Sequence, residues 1–264
     1  MILTNPLRKK LDMGQPTIGT HIMFCDPDIA EMVGDLGLFD YGEISAEYSM
    51  VDMPQLYHQA RAAQCGNLPL MIKPDQEGQG FWTQAAMGAG FKAVLFTDIR
   101  TPEDVDAGCR LVAADTPDND GLMGVKLRRP ALAGYDTKAY LDDLNDFVVA
   151  IMIEKQVALD NIDAILARAQ QRGVSLVQWG PADFGFSRGE PGLMGTPEIK
   201  PIERLVIQKC FEYGLRPRIE IGQVRQAQEY LDQGVQDFCI GWDRFILQSA
   251  FAELGEGLGK LLGR

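Results

Sequence analysis

The chain has 264 residues, of which 46% are hydrophobic and 23% charged, and a net charge of -12. That length suits one α/β barrel of roughly 250 residues, while the acidic balance argues against electrostatic capture of nucleic acid. No apolar run approaches the ~20 residues that cross a bilayer, and five scattered cysteines without a Cys-x-x-Cys pair and a first ten residues without a secretory pattern predict a reducing cytoplasm.

Along the chain, apolar segments at 17–24, 39–46, 68–74, 91–97, 147–153, 174–179, 216–222 and 236–241 read as strands. Helical patterns fill the gaps at 28–36, 53–63, 80–87, 102–114, 161–171, 202–213 and 224–233, most of them closed by a glycine. Eight such alternations predict a closed (β/α)8 TIM barrel, one domain over residues 1–264, rather than an open doubly wound sheet. Residues 115–145, rich in Gly, Pro, Asp and Arg, exceed the usual loop length and predict a cover over the mouth or a subunit contact. Residues 244–262 carry Phe245, Ile246, Phe251, Leu254, Leu258, Leu261 and Leu262 at helical spacing. That helix is expected to pack on its own barrel or on a partner chain, since closed homo-oligomers are common.

In such barrels chemistry sits where the strands end. The run 147–153 delivers Glu154 and the run 174–179 is followed by Asp183. A strand, crossover helix and strand put those ends side by side, facing the same way. Two hard oxygen donors placed so suit a divalent metal with open positions for substrate. Spacing alone leaves open that Glu154 pairs with Lys155 or an arginine and that Asp183 caps a turn. Other mouth positions are His21, Tyr48, Lys73, Glu220 and Trp242. His21 is the imidazole that could act there as acid or base, or else a satisfied, partly buried histidine; Tyr48 is expected to shape the pocket or donate a proton. Lys73 is a candidate point charge. Arg128 and Arg129 in the long connection are candidates to read a distal carboxylate, or else a solvated pair.

Asn5-Pro6-Leu7-Arg8, Gly14, Phe39-Asp40, Ile153-Glu154, Gly180-Pro181-Ala182-Asp183 and Gly241-Trp242-Asp243 together resemble the HpcH/HpaI aldolase family of metal-dependent pyruvate aldolases. The resemblance implies a hexamer (a trimer is the other arrangement considered), a 4-hydroxy-2-oxo acid substrate, and Mg2+, Mn2+ or Co2+ on Glu154 and Asp183. It also implies a substrate carboxylate held at Gly180, Pro181, Ala182 and Asp183 by the N–H groups of Ala182 and Asp183, and a pyruvate enolate stabilised beside the cation. The chain departs from the family at three places. The second-strand motif Asp-x-Glu-His reads Ser45-Ala46-Glu47-Tyr48, the third-strand arginine aligns with Ile72 beside Lys73, and the glutamine before the metal glutamate is Met152. A metal-dependent aldehyde-lyase is the first expectation. A metal-dependent 2-oxo acid decarboxylase, which needs no base on a hydroxyl, and a non-catalytic barrel binding a chelating ligand are the alternatives.

Overall fold

The computed structural model describes residues 5–49, 51–126 and 136–264. Its strands β1 (Thr17–Ile22), β2 (Tyr41–Ile44), β3 (Leu70–Ile72), β4 (Ala93–Phe96), β5 (Val148–Ile153), β6 (Leu176–Trp179), β7 (Arg216–Ile221) and β8 (Asp237–Trp242) close into a parallel barrel in chain order. Every strand expected from the sequence is there. Around them run α1 (Pro6–Asp12), α2 (Pro27–Asp35), α3 (Met53–Cys65), α4 (Gln79–Ala89), α5 (Pro102–Val112), α6 (Thr137–Asn145), α7 (Gln156–Asp160), α8 (Ile162–Gln171), α9 (Pro181–Ser187), α10 (Ile199–Glu212), α11 (Ala227–Leu231) and α12 (Asp243–Leu261). No helix among the described residues is long and apolar enough to cross a membrane.

Parallel strands covered by helices are buried on both faces, so each alternates between two apolar environments. Tyr41, Met71, Ala93, Leu95, Val148, Ala150, Met152 and Leu176 face the barrel interior, whereas Ile44, Ile72, Val94, Phe96, Val149, Ile151, Ile153 and Val177 meet the helices. The N-terminal motif closes the floor. Leu7 and Leu11 of α1 join the interior cluster, and Asn5 pins the helix by donating to the carbonyls of Lys92 and Asp146, both at 2.8 Å.

Two expectations about the connections change. The stretch 115–145, expected to be a long cover, contains α6, with Asp136 accepting from the Ala139 N–H at its start, and its beginning folds back through a bridge between Ala114 and Met123. Arg128 and Arg129 lie outside the described residues. The helix expected at 224–233 is a short 3-10 turn, Val224–Gln226, followed by α11. Helix α12 spans the expected segment, but only Asp243 in it is buried, and Phe251, Leu254, Leu258 and Leu261 are exposed on the single chain.

Candidate active site

Glu154 directly follows β5 and is buried. Asp98, just past β4, holds it: with φ of +60°, a conformation uncommon for a residue with a side chain, Asp98 donates its backbone N–H to Glu154 Oε1 at 2.6 Å. On the other side Gly180 leaves the carboxylate its space. A Cβ there would lie 2.6 Å from Glu154 Cβ and 2.7 Å from Oε2, distances no side chain tolerates, so the first residue of the Gly-Pro-Ala-Asp motif is a steric requirement. Asp183 sits in the first turn of α9. Lys155 Nζ stands 3.0 Å from Asp183 Oδ1 and 3.4 Å from Asp98 Oδ1, which gathers four charged residues at the rim. Of the readings left open above, the lysine pair is therefore made by Asp183, while Glu154 is held by backbone.

Burial pushes the Glu154 carboxyl up to about 7; the Asp98 N–H and the Lys73 charge oppose that, and the Asp183 charge adds to it. A buried carboxylate with a single N–H donor, and a second carboxylate whose charge raises it further, are a hard-oxygen set fitting a divalent cation.

Across the barrel lies a second set, of which sequence reasoning placed His21, Glu220 and Trp242 at the mouth and missed Tyr41, Glu43, Gln178 and Arg218. Arg218 of β7, fully buried, reaches Glu43 and Gln178 and donates through Nε to Tyr41 Oη at 2.6 Å. Glu43 Oε1 is 3.1 Å from His21 Nδ1, and His21 Nε2 is 3.4 Å from Glu220 Oε2. Trp242 donates its Nε1–H to Glu220 Oε1 at 2.8 Å and stacks on His21, ring centres 4.0 Å apart. Burial opposes charge on both inner groups, yet Cys239 and Glu43 raise the His21 pKa well above its usual value, and Arg218 and His21 bring Glu43 below its own. The imidazole is thus cationic at neutral pH and screened from solvent. Ligand atoms of His21, Glu43 and Cys239 lie within 4.8 Å of one another and could hold an ion, but Arg218 and His21 already neutralise Glu43 and Glu220. At the rim a single lysine, Lys155, faces Asp98 and Asp183 and Glu154 has only a backbone donor, so that set is compensated in part and fits a cation better.

At the end of β3 the two neighbours Ile72 and Lys73 take opposite faces. Ile72 packs against the helices, and Lys73 turns inward, where Nζ meets Glu47 Oε2 at 2.7 Å and donates to Tyr48 Oη at 3.1 Å. Burial would depress the lysine, but Tyr48, Glu43 and Glu47 outweigh it and raise its pKa, so it remains a cation. Tyr48 is half exposed at the mouth, and partial burial raises its phenol. Met152 faces inward beneath Gly180. Asp243 of the Gly-Trp-Asp motif has a fixing role, its carboxylate accepting from the N–H groups of Met23 and Phe24 at 2.9–3.0 Å.

Comparison with known proteins follows the same lines. The pattern of the HpcH/HpaI aldolase/citrate lyase family matches residues 44–250. A 2-keto-3-deoxy-L-rhamnonate aldolase of Shigella sonnei (strain Ss046) is 27% identical over 253 residues, covering 94% of this chain and 91% of the relative. A crystal structure of an HpcH/Hpal aldolase/citrate lyase family protein from Burkholderia cenocepacia J2315 superposes with a TM-score of 0.83 at 25% identity, over 96% of this chain and 99% of that one. The citrate synthase SbnG superposes with a TM-score of 0.81 at 21% identity over 98% of both chains, a likeness of fold.

Proposed function

The chain belongs to the HpcH/HpaI aldolase/citrate lyase family, and from that premise we propose that it is a divalent-metal-dependent aldolase that cleaves a 4-hydroxy-2-oxo acid to pyruvate and an aldehyde. The buried Glu154 carboxylate, raised to about 7 beside Asp183, is the observation that carries the reading. Glu154 and Asp183 would hold the cation, Mg2+, Mn2+ or Co2+, which supplies Lewis-acid stabilisation of the charge that develops on the 2-oxo oxygen.

The chain's own residues do the rest. The N–H groups of Ala182 and Asp183, at the start of α9 where first-turn donors lack helical partners, receive the substrate carboxylate against Gly180 and Pro181. Lys73, cationic and inward, adds positive charge on the opposite side and keeps Tyr48 in place through its 3.1 Å hydrogen bond. As an ammonium paired with Glu47, Lys73 is not free to form a Schiff base. Tyr48, at the mouth, orients the hydroxyl or a water for proton movement, while His21 acts from within the barrel as a fixed cation. Decarboxylation of a 2-oxo diacid is the second reading, favoured by the raised phenol of Tyr48, which leaves this position without a ready base. The exposed leucines of α12 support assembly into a homo-oligomer, a trimer or hexamer, and the free cysteines support a cytoplasmic location.

The deciding experiment measures, on the purified chain with each metal and with chelator, deuterium exchange into the pyruvate methyl group and pyruvate release from 4-hydroxy-2-oxo acids and from a 2-oxo diacid. Metal-dependent exchange with release is expected. Exchange together with CO2 but no aldehyde would favour decarboxylation, and neither exchange nor release would defeat the catalytic reading.

A further inference from the structure

Glu220 is a carboxylate that the cleavage mechanism does not use. Strand register puts it at the level of the chelating rim. Met152 of β5 pairs with Gln178 of β6, and Gln178 pairs with Arg218 of β7, so two residues further along each strand Glu154, Gly180 and Glu220 form one layer. Inward direction follows from alternation: Ile219 and Ile221 pack outward with Tyr230 and Val235, leaving Arg218 and Glu220 on the interior side. Gly180, between the two carboxylates in this layer, contributes no side chain. The strands of Glu154 and Glu220 are two spacings apart, about 10 Å, room for the carbon chain of a small substrate between them.

The position of Glu220 is fixed from behind. Charges alternate from the barrel centre outward: Arg218 positive, Glu43 negative, His21 positive, Glu220 negative. Trp242 Nε1 donates to Glu220 Oε1 at 2.8 Å, and Gln178 Nε2 stands 3.4 Å from Oε2. The outward end is open, with 32% of the Glu220 side chain exposed, and a carboxylate has about four acceptor sites, more than these donors fill. Beside it the Trp242 ring, with Tyr48 at 6.1 Å between ring centres, offers a flat aromatic wall.

We propose that Glu220 determines which aldehyde the site takes, accepting a hydrogen bond from the hydroxyl of a neutral hydroxy-aldehyde and turning away aldehydes that carry a second carboxylate. The assignment rests on the aldolase reading above and deepens it by naming the substrate class. An anionic group held some 6–8 Å from Glu220 at an effective dielectric near 20 would be disfavoured by about 30-fold by that charge alone, and with the His21 cation behind it by roughly several-fold. His21, 3.4 Å behind Glu220, offsets this in part but lies on the side away from the mouth, and the Lys73 ammonium is committed to Glu47 and Tyr48.

The test is aldol addition of pyruvate to glycolaldehyde, which is neutral and hydroxylated, and to succinic semialdehyde, which is anionic, compared as kcat/KM on the metal-loaded wild type and on Glu220→Gln. The amide retains an oxygen to accept from Trp242. The wild type is expected to favour glycolaldehyde by roughly several-fold, and the variant, in which the His21 cation loses this partner, to narrow or reverse that ratio by about tenfold, chiefly by lowering KM for the anionic aldehyde. A wild type that accepts both equally, or prefers the anionic one, overturns the assignment without needing a folded variant. So does a variant whose thermal unfolding matches wild type but whose ratio is unchanged. Pyruvate deuterium exchange in the wild type separates the two levels: exchange with the wrong selectivity sinks Glu220 alone, and no exchange or addition sinks the aldolase reading and this assignment with it.

Discussion

Two carboxylates sit on opposite sides of the barrel, Glu154 after β5 at the rim and Glu43 deeper in β2, both buried, and their acidities move in opposite directions. Glu43 meets the Arg218 guanidinium and the His21 imidazolium and falls below its usual value. Glu154 meets one backbone N–H and the charge of Asp183, and burial carries it to about 7. Desolvation acts on both, so the partner decides the sign. One side of the barrel is a closed ion network with its charges matched; the other holds uncompensated negative charge. The second is therefore the side that would gain from a cation.

The comparison breaks most severely at Arg218. Arg218→Met leaves Glu43 buried without its main counter-charge, and stability to urea is expected to fall by about 3–5 kcal/mol. Adding Glu43→Gln is expected to recover a large share, because the orphaned charge goes with it. Losses that simply add would mean the network is not coupled. On the other side Glu154→Gln removes a buried carboxylate rather than a matched pair. Metal-dependent turnover is expected to drop roughly 10²–10³-fold, with metal affinity measured by calorimetry falling alongside and unfolding in chelator unharmed. Equal damage to apo stability at both sites would erase the distinction.

How much of this was legible differs between the two sides. Glu154 and Asp183 stand at the ends of continuous apolar runs, where a lone carboxylate is conspicuous. Glu43 and Arg218 lie inside Tyr-Gly-Glu-Ile and Arg-Pro-Arg-Ile-Glu-Ile, which look like half-solvated strands. A signal was there: in a parallel barrel the helices cover the outer face, so the period-2 polar set Arg218 and Glu220 had to face inward once Ile219 and Ile221 faced out. The same rule places Lys73 inward and Ile72 outward, which alignment to the family motif obscured. Asp98 stands just past an apolar run, which marks it as a mouth position, but its part depends on a left-handed backbone that composition does not reveal. The eight strands were readable because burial on both faces leaves long apolar runs; α1, α6 and α9 were not, being short or set in polar connections.

pH separates the two sides at the next level of magnitude. In the metal-free chain Glu154 ionises near 7 when folded, against an ordinary value of 4.5. The folded state holds that proton more tightly, so its contribution is fully present below about pH 4.5 and is lost as pH rises through 7, about 3 kcal/mol in total. Glu43 runs the other way, its contribution present above its unfolded value and lost only in strong acid. Metal should therefore raise the melting temperature more at pH 8 than at pH 5.5, and Glu154→Gln should flatten that difference. A metal-induced shift independent of pH would place the cation elsewhere.

The finest test concerns Lys155, whose ammonium lies on Asp183 in the metal-free chain. A cation bound by Asp183 must share that oxygen or displace the lysine, so the ion pair competes with metal. Asp183 is 42% exposed, and pairs this open contribute at most about 1 kcal/mol. Lys155→Met is therefore expected to tighten metal binding by up to about fivefold, read by calorimetry at constant ionic strength. The same variant should lose most of that gain in high salt, since screening already weakens the pair in the wild type. Weaker metal binding in Lys155→Met would show instead that the lysine orients Asp183 toward the cation through Asp98, and the rim would then be as internally organised as the network across the barrel.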